Sequence, residues 1–157
     1  MSTRDNRVGN PTSARLLLFF CRYRVPLLSK FYRLLHNCDI YCDLKGRDVL
    51  MPHPYGIVIH SRTLIGQRVT IMQQVTLGGS RLGVNEAPII EDEVYIGAGA
   101  KVLGNVHVGH HAVIGANAVV TRNVPAGATV VGANRIISNS AVSAPIVSTA
   151  IVSTPCV

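Results

Sequence analysis

The chain has 157 residues, a length that suits about one domain, and its 15 Lys+Arg against 8 Asp+Glu give a net charge of +7 with only 15% of residues charged. Aromatic residues are 5% and tryptophan is absent, which argues against the stacking surface of a single-strand nucleic-acid binder; the positive charge suits a small phosphate-bearing ligand as well as it suits nucleic acid. Four cysteines (Cys21, Cys38, Cys42, Cys156) with no CxxC read as reduced thiols of a cytoplasmic protein, and no apolar run reaches the roughly 20 residues of a membrane span.

Residues 1–13 are polar, include Gly9 and Pro11, and are expected to be a flexible lead-in; the apolar run 16–21 is too short for a signal-peptide core. Ser13 is expected to cap a helix beginning at Ala14. Two short helices are predicted, about 14–24 and 27–37, separated by Pro26. They are expected to pack on the end of the fold or on a neighbouring subunit. Arg22, Arg24, Lys30 and Arg33 beside Leu, Phe and Tyr leave peripheral contact with the inner face of a membrane as the alternative. Residues 38–58 read as a transition with short alternating strands.

From Ile59 an aliphatic residue returns every sixth position: Ile59, Ile65, Ile71 and Leu77, then Ile90, Ile96, Val102, Val108, Ile114 and Val120. A second register follows four residues behind, through Val69, Val75, Val94, Ala100, Val106, Ala112, Ala118 and Val124. A period of six belongs neither to a helix nor to an isolated strand; it marks a parallel β-helix, in which short repeats stack around one continuous core. One aliphatic per hexad is expected to point inward. The small residue four positions on makes room for a corner, and the Gly that often follows the aliphatic position is read as tolerating the backbone there. Three flat faces per coil form a triangular prism with little core of its own, so association is expected. Between Leu77 and Ile90 the period breaks: thirteen residues hold one hexad plus about seven extra, containing Gly83 and Asn85 and closed by Pro88. A loop thrown out of a rigid solenoid is a usual place for function. Residues 126–137 look like a last partial coil, and residues 138–157 like a loose Ser/Ala/Val/Thr-rich tail. The organisation is therefore a lead and helices over 1–38, a β-helix over 39–137, and the tail.

The runs HPYGIVIHSRTLIGQRVTIMQQVTLGG (53–79) and PIIEDEVYIGAGAKVLGNVHVGHHAVIGANAVV (88–120) resemble the catalytic domain of the hexapeptide-repeat serine acetyltransferases. They resemble more closely the short serine acetyltransferase-like enzymes that O-acetylate sugars. The resemblance covers about residues 39–136 and implies an all-β solenoid, a left-handed parallel β-helix, assembled as a homotrimer. It also implies acetyl-CoA as co-substrate and a cytoplasmic acyltransferase.

By the same resemblance His53 is the general base that deprotonates an acceptor hydroxyl, a role suited to an imidazole and helped by the stiffness of Pro52 and Pro54 on either side. Its orienting carboxylate is matched best by Asp39, one residue closer than expected, with Asp43 and Asp48 as alternatives. The backbone at Gly78 and Gly79 is matched to the oxyanion site. Acetyl-CoA contacts carry over to Gly97, Ala98, Ala116, Thr121 and Arg122, with Arg135 for phosphate. His107, His110 and His111 invite a metal reading, as in a carbonic anhydrase of similar fold, but ligands must converge from separate coils, so an exposed or interface role is expected.

Three departures stand against free serine as the acceptor. Glu86 and Ala87 precede Pro88 where the family carries Arg-His, the large N-terminal helical domain is missing, and the chain ends in Cys156-Val157. The expected reaction is therefore acetyl transfer to a sugar of an exo- or capsular polysaccharide pathway. Serine O-acetylation is the first alternative, a non-catalytic prism the second and a metal-dependent hydratase the third.

Overall fold

The computed structural model describes residues 9–22, 31, 34–81 and 85–137. Most of the expected second helix and all of the expected tail lie outside these residues.

Each hexad folds as a strand of two or three residues followed by a corner. The first coil carries β1 (Asp39–Ile40) and β2 (Val49–Leu50), and the next carries β3 (Val58–Ile59), β4 (Leu64–Ile65) and β5 (Val69–Ile71). Then come β6 (Thr76–Gly78), β7 (Ile89–Ile90) and β8 (Tyr95–Ile96), followed by β9 (Lys101–Leu103), β10 (His107–Val108) and β11 (Val113–Ile114). The end is built from β12 (Val119–Val120), β13 (Thr129–Val131) and β14 (Arg135–Ile137). These strands stack into three sheets, in the orders β1-β3-β6-β9-β12, β4-β7-β10 and β2-β5-β8-β11-β13-β14. All pairings are parallel except β13 with β14.

The register explains the period. Tyr95 pairs with Val113 and Lys101 with Val119, a step of 18 residues, which is three hexads and one full coil. Across the interruption, Leu64 pairs with Ile89 and Thr76 with Lys101, a step of 25. The loop therefore adds seven residues and shifts nothing in the ladders on either side of it.

Both registers read from the sequence are buried throughout, from Ile59 to Val120 and from Val69 to Val124. Burying each Val, Leu or Ile contributes about 1.5–3 kcal/mol, so the stacked pairs are the main cohesive term. The second register has one polar member: Thr63 is buried, and its Oγ1 has no hydrogen-bond partner among the described residues.

The corner glycines act differently from the expectation. The left-handed backbone falls two positions later in the hexad, at Arg68, Gly99, His111 and Asn117 after glycines and equally at Gln74 and Glu93, where Met72 and Glu91 stand in the glycine's place, all with φ between 54° and 71°. The glycines serve close stacking instead. A Cβ on Gly66 would lie 2.7 Å from Asp92 N, and one on Gly109 would lie 2.5 Å from Ala126 N. Absence of a side chain, not freedom of φ, is what these positions require.

Both ends of the prism are closed. Helix α1 (Thr12–Arg22) begins two residues before the expected start, because the Pro11 carbonyl accepts the Arg15 N–H at 2.9 Å; Ser13 lies inside the first turn. Its Ala14 and Leu17 are fully buried, Leu17 in one cluster with the coil core, so the helix packs on the end of the β-helix. Just before it, Asn10 covers edge strand β2: its Nδ2 donates to Val49 O at 2.9 Å, and its Oδ1 accepts the Met51 N–H at 2.6 Å. No described helix is long and apolar enough to cross a membrane. At the far end the predicted partial coil turns back, and β14 pairs antiparallel to β13. Asn134 closes this end, accepting the Thr121 N–H at 2.7 Å and donating to Thr121 Oγ1 at 2.8 Å.

Candidate active site

His53 lies in the turn that carries the chain from β2 to β3. Two prolines remove backbone donors there, so ladder bonds cannot hold the turn. Other groups hold it. The Tyr55 N–H donates to His53 O at 2.8 Å, Gly56 N–H to His36 O at 3.1 Å, and Gln74 N–H to Tyr55 O at 2.8 Å. The buried Cys38 thiol donates to Pro54 O at 2.9 Å. Gly56 supplies a positive φ of 64° at the close of the turn. The His53 side chain is exposed.

Of the three candidate carboxylates, the structure places Asp39 beside this turn. Its N–H donates to Ile57 O at 2.8 Å, and the Tyr41 hydroxyl lies 3.5 Å from its Oδ1. Asp43 is engaged in a local turn through the Lys45 N–H at 2.8 Å. Asp48 stands at the opposite end of β2 from His53, where it lines a cavity of about 290 Å³ together with Asn10, Arg15, Leu18 and Arg47.

Alternation along the strands aligns two outward columns on the sheet of β1, β3, β6, β9 and β12. One runs Asp39, Val58, Thr76, Lys101 and Val119. The other, two residues further along each strand, runs Tyr41, His60, Gly78 and Leu103. Gly78 and Gly79 therefore stand where the chain leaves this sheet, whereas His53 stands where the chain enters it. Strand geometry separates the two edges by roughly 10–15 Å within one chain. A Cβ on Gly78 would meet nothing within 4 Å among the described residues. The loop that leaves here is pinned at its neck, where Ser80 Oγ donates to Glu86 Oε2 at 2.9 Å.

His60 is a site-adjacent residue that the sequence reading passed over. It occupies the hexad position that Gly66, Gly78, Gly97, Gly109 and Gly115 hold elsewhere, which is the signal that could have found it. Its Nδ1 accepts the Arg62 N–H at 3.3 Å, and it is the ladder neighbour of Gly78. His36 and Cys38, which support the His53 turn, carried no pattern of their own.

The six positions matched to acetyl-CoA fall into two groups. Gly97, Ala98 and Ala116 stack on one corner, with Gly97 N–H donating to Ile114 O and Asn117 N–H to Ala98 O, both at 2.8 Å. Thr121 and Arg122 lie past β12, joined through Asn134 to the strand that holds Arg135.

The histidines of HVGHH are exposed and paired with carboxylates. Glu91 receives His107 Nε2 at 2.9 Å and His110 Nδ1 at 3.3 Å, and its carboxyl is held below the ordinary range chiefly by the His110 backbone N–H. Glu93 is shared between His111 and Arg68, whose guanidinium is raised by that contact. Among the described residues no group of three or more His, Cys, Asp or Glu is placed to hold a metal ion.

Comparison with known proteins adds identity to this geometry. Residues 87–122 match the family model described as bacterial transferase hexapeptide (six repeats). The chain is 44% identical over 129 residues to a Helicobacter pylori protein named serine acetyltransferase, covering 81% of this chain and 73% of that one. It is 45% identical over 106 residues to the Mycobacterium tuberculosis serine acetyltransferase, covering 66% of this chain. It spans only about half the length of that relative, 46%. A solved serine acetyltransferase in complex with cysteine superposes with TM-score 0.64 at 34% identity, covering 80% of this chain and 55% of that one. Another, in complex with CoA, gives TM-score 0.56 at 33% identity, with 80% and 54% covered.

These findings overturn the expected sugar acceptor and polysaccharide pathway. The matched proteins are named serine acetyltransferases, at 45% identity over 106 residues and 44% over 129. The opposing expectation leaned on Glu86 and Ala87 in one loop and on the two chain ends, segments that vary without altering the scaffold.

Proposed function

Because this chain belongs to the serine acetyltransferase family, we propose that it transfers the acetyl group of acetyl-CoA to the hydroxyl of L-serine. The observation that carries this reading is the continuous match to a serine acetyltransferase over 129 residues, which includes the turn of His53 and the open glycine edge of β6.

Acetyl-CoA supplies an activated thioester carbonyl. His53 takes the proton from the serine hydroxyl as its oxygen bonds to that carbonyl carbon, and Asp39 favours the resulting imidazolium. In this reading the backbone at Gly78 and Gly79 lies at the developing oxyanion. As the C–S bond breaks, His53 returns the proton to the departing sulfur, giving O-acetylserine and CoA. Gly97, Ala98 and Ala116 leave a corner without large side chains along which the CoA arm fits. Arg122 and Arg135 offer charge to its phosphates.

A neighbouring copy is part of this reading. His53 and Gly78 lie on opposite edges of one sheet, so docking two prisms side by side unites the base of one with the oxyanion donors of the other. Leu64 at 59% and Ile89 at 37% exposure form an outward apolar column that supports such packing, and a left-handed homotrimer satisfies it.

The test is release of CoA thiol from acetyl-CoA, with L-serine and a set of sugars as acceptors. Turnover with L-serine, lost in His53→Ala, is expected. Absence of serine-dependent thiol release from the folded wild-type chain would overturn the reading.

A further inference from the structure

We propose that Cys38 and His36 form a buried bracket that positions His53 for proton transfer, an inference that rests on the O-acetyltransferase reading above. The bracket lies at the junction between the N-terminal segment and the first coil. It acts through the backbone of the turn, so both are positioning residues and neither touches substrate.

The argument begins with what the turn lacks. Pro52 and Pro54 flank His53 and donate no backbone hydrogen bond, and the imidazole itself is exposed. A base that must meet a hydroxyl within hydrogen-bond reach cannot be left on an unsupported turn, because misplacement of about 1 Å can cost roughly 100-fold in rate. Cys38 provides the support. It is 2% exposed, and its Sγ lies 2.9 Å from Pro54 O and 3.3 Å from His36 O while accepting the Ile57 N–H at 3.4 Å. One thiol thus bridges the residue directly after His53 to the first residue pairs of the ladder.

His36 holds the other side. Its carbonyl accepts the Gly56 N–H at 3.1 Å, and its ring lies against Tyr55, with centroids 5.2 Å apart and planes tilted by 55°. The ring is 2% exposed, and neither of its nitrogens has a hydrogen-bond partner among the described residues. Burial pushes its pKa below the ordinary value and so favours the neutral ring. A buried imidazole without partners is destabilising in itself, so packing alone would be better served by an apolar side chain. Asp39 follows Cys38 directly and is anchored to Ile57 by its own N–H. The bracket therefore sets the base and its proposed carboxylate against each other through one short segment.

The experiment uses the full chain with Cys38→Ala, Cys38→Ser and His36→Leu, measuring kcat and KM for both substrates, thermal melting, and the NMR titration of the His53 ring. Cys38→Ala is expected to lower kcat about tenfold or more, with KM for acetyl-CoA within about twofold, because the base is displaced while the distant CoA corner is not. Cys38→Ser, which retains a donor toward Pro54 O, is expected to recover most of the loss. His36→Leu is expected to lower kcat and to alter the His53 titration. A lower melting temperature with kcat and the His53 titration both unchanged would overturn the bracket, as would equal losses in Cys38→Ala and Cys38→Ser. If Cys38→Ala does not fold, Cys38→Ser and His36→Leu decide by the same criteria. If the wild-type chain shows no turnover with L-serine, the functional reading fails separately. The bracket is then judged on the His53 ring resonances, which change in the variants if it holds and stay the same if it does not.

Discussion

Gly97 rests directly against Ala116 of the next coil: a Cβ built on Gly97 would come 2.7 Å from the Ala116 backbone nitrogen and 2.9 Å from Ile114 O. Both clashes are with backbone of a stacked strand, which cannot give way without parting the coils. Gly97→Ala is therefore expected to destabilise the fold by about 1–3 kcal/mol, read as a lower denaturant midpoint. Gly78→Ala is the control, since none of the described residues lies within 4 Å of its Cβ position. Its stability is expected to stay within about 0.5 kcal/mol of wild type, while the methyl group intrudes on the open edge proposed for substrate and raises KM. Equal stability loss in both variants would contradict the stacking account.

Thr63 occupies a position that Val or Ala holds in other coils, buried at 3% with an unsatisfied Oγ1. Thr63→Val keeps the shape and removes the polar atom. It is expected to stabilise the protein by about 1 kcal/mol in chemical denaturation. A destabilised variant would mean that the hydroxyl finds a partner in the assembled protein.

Burial lowers the His36 pKa below its ordinary value of 6.5. A lowered histidine pKa means that the unfolded chain takes up the proton first. Stability is then complete above about pH 6.5 and declines as pH falls through the folded value. Comparing unfolding free energies of wild type and His36→Leu from pH 8 to 5 isolates this effect. The difference between them should change in favour of the variant as the pH drops, and a difference independent of pH would refute it. Glu91, held low mainly by the His110 N–H, adds a further decline only below about pH 4.5.

Asp39 and Asp43 can be separated kinetically. Asp39→Asn is expected to lower kcat by about 10²-fold or more with little change in KM, as for loss of a group that orients a catalytic base. Asp43→Asn should leave kcat within about twofold, because that carboxylate closes a local turn through Lys45. Equal effects from the two would dismiss Asp39 as the partner of His53.

How far the sequence reached can be judged residue by residue. The hexads from Ile59 to Val120 announced a parallel β-helix, because one inward aliphatic per face leaves a six-residue imprint that is interrupted once, between Leu77 and Ile90. The seven added residues of the loop were countable for the same reason. The return of β14 was not legible: the segment from Arg135 to Ile137 carries no alternation that distinguishes a reversing strand from a continuing one, and all three residues are exposed. The role of the corner glycines was misread because a Gly required for close approach and a Gly required for positive φ look identical in sequence.

The site divides along the same line. A period and a pair of prolines are local properties, so the coils, the interrupted hexad and the stiff His53 turn could be found from the chain alone. Which residues stand beside one another was decided by stacking. Strand pairing put Asp39 by the His53 turn, set His60 next to Gly78, and separated His53 from Gly78 by the width of a sheet. Those adjacencies join residues from different coils through a register that holds only once every coil is closed, and no short segment of sequence contains it.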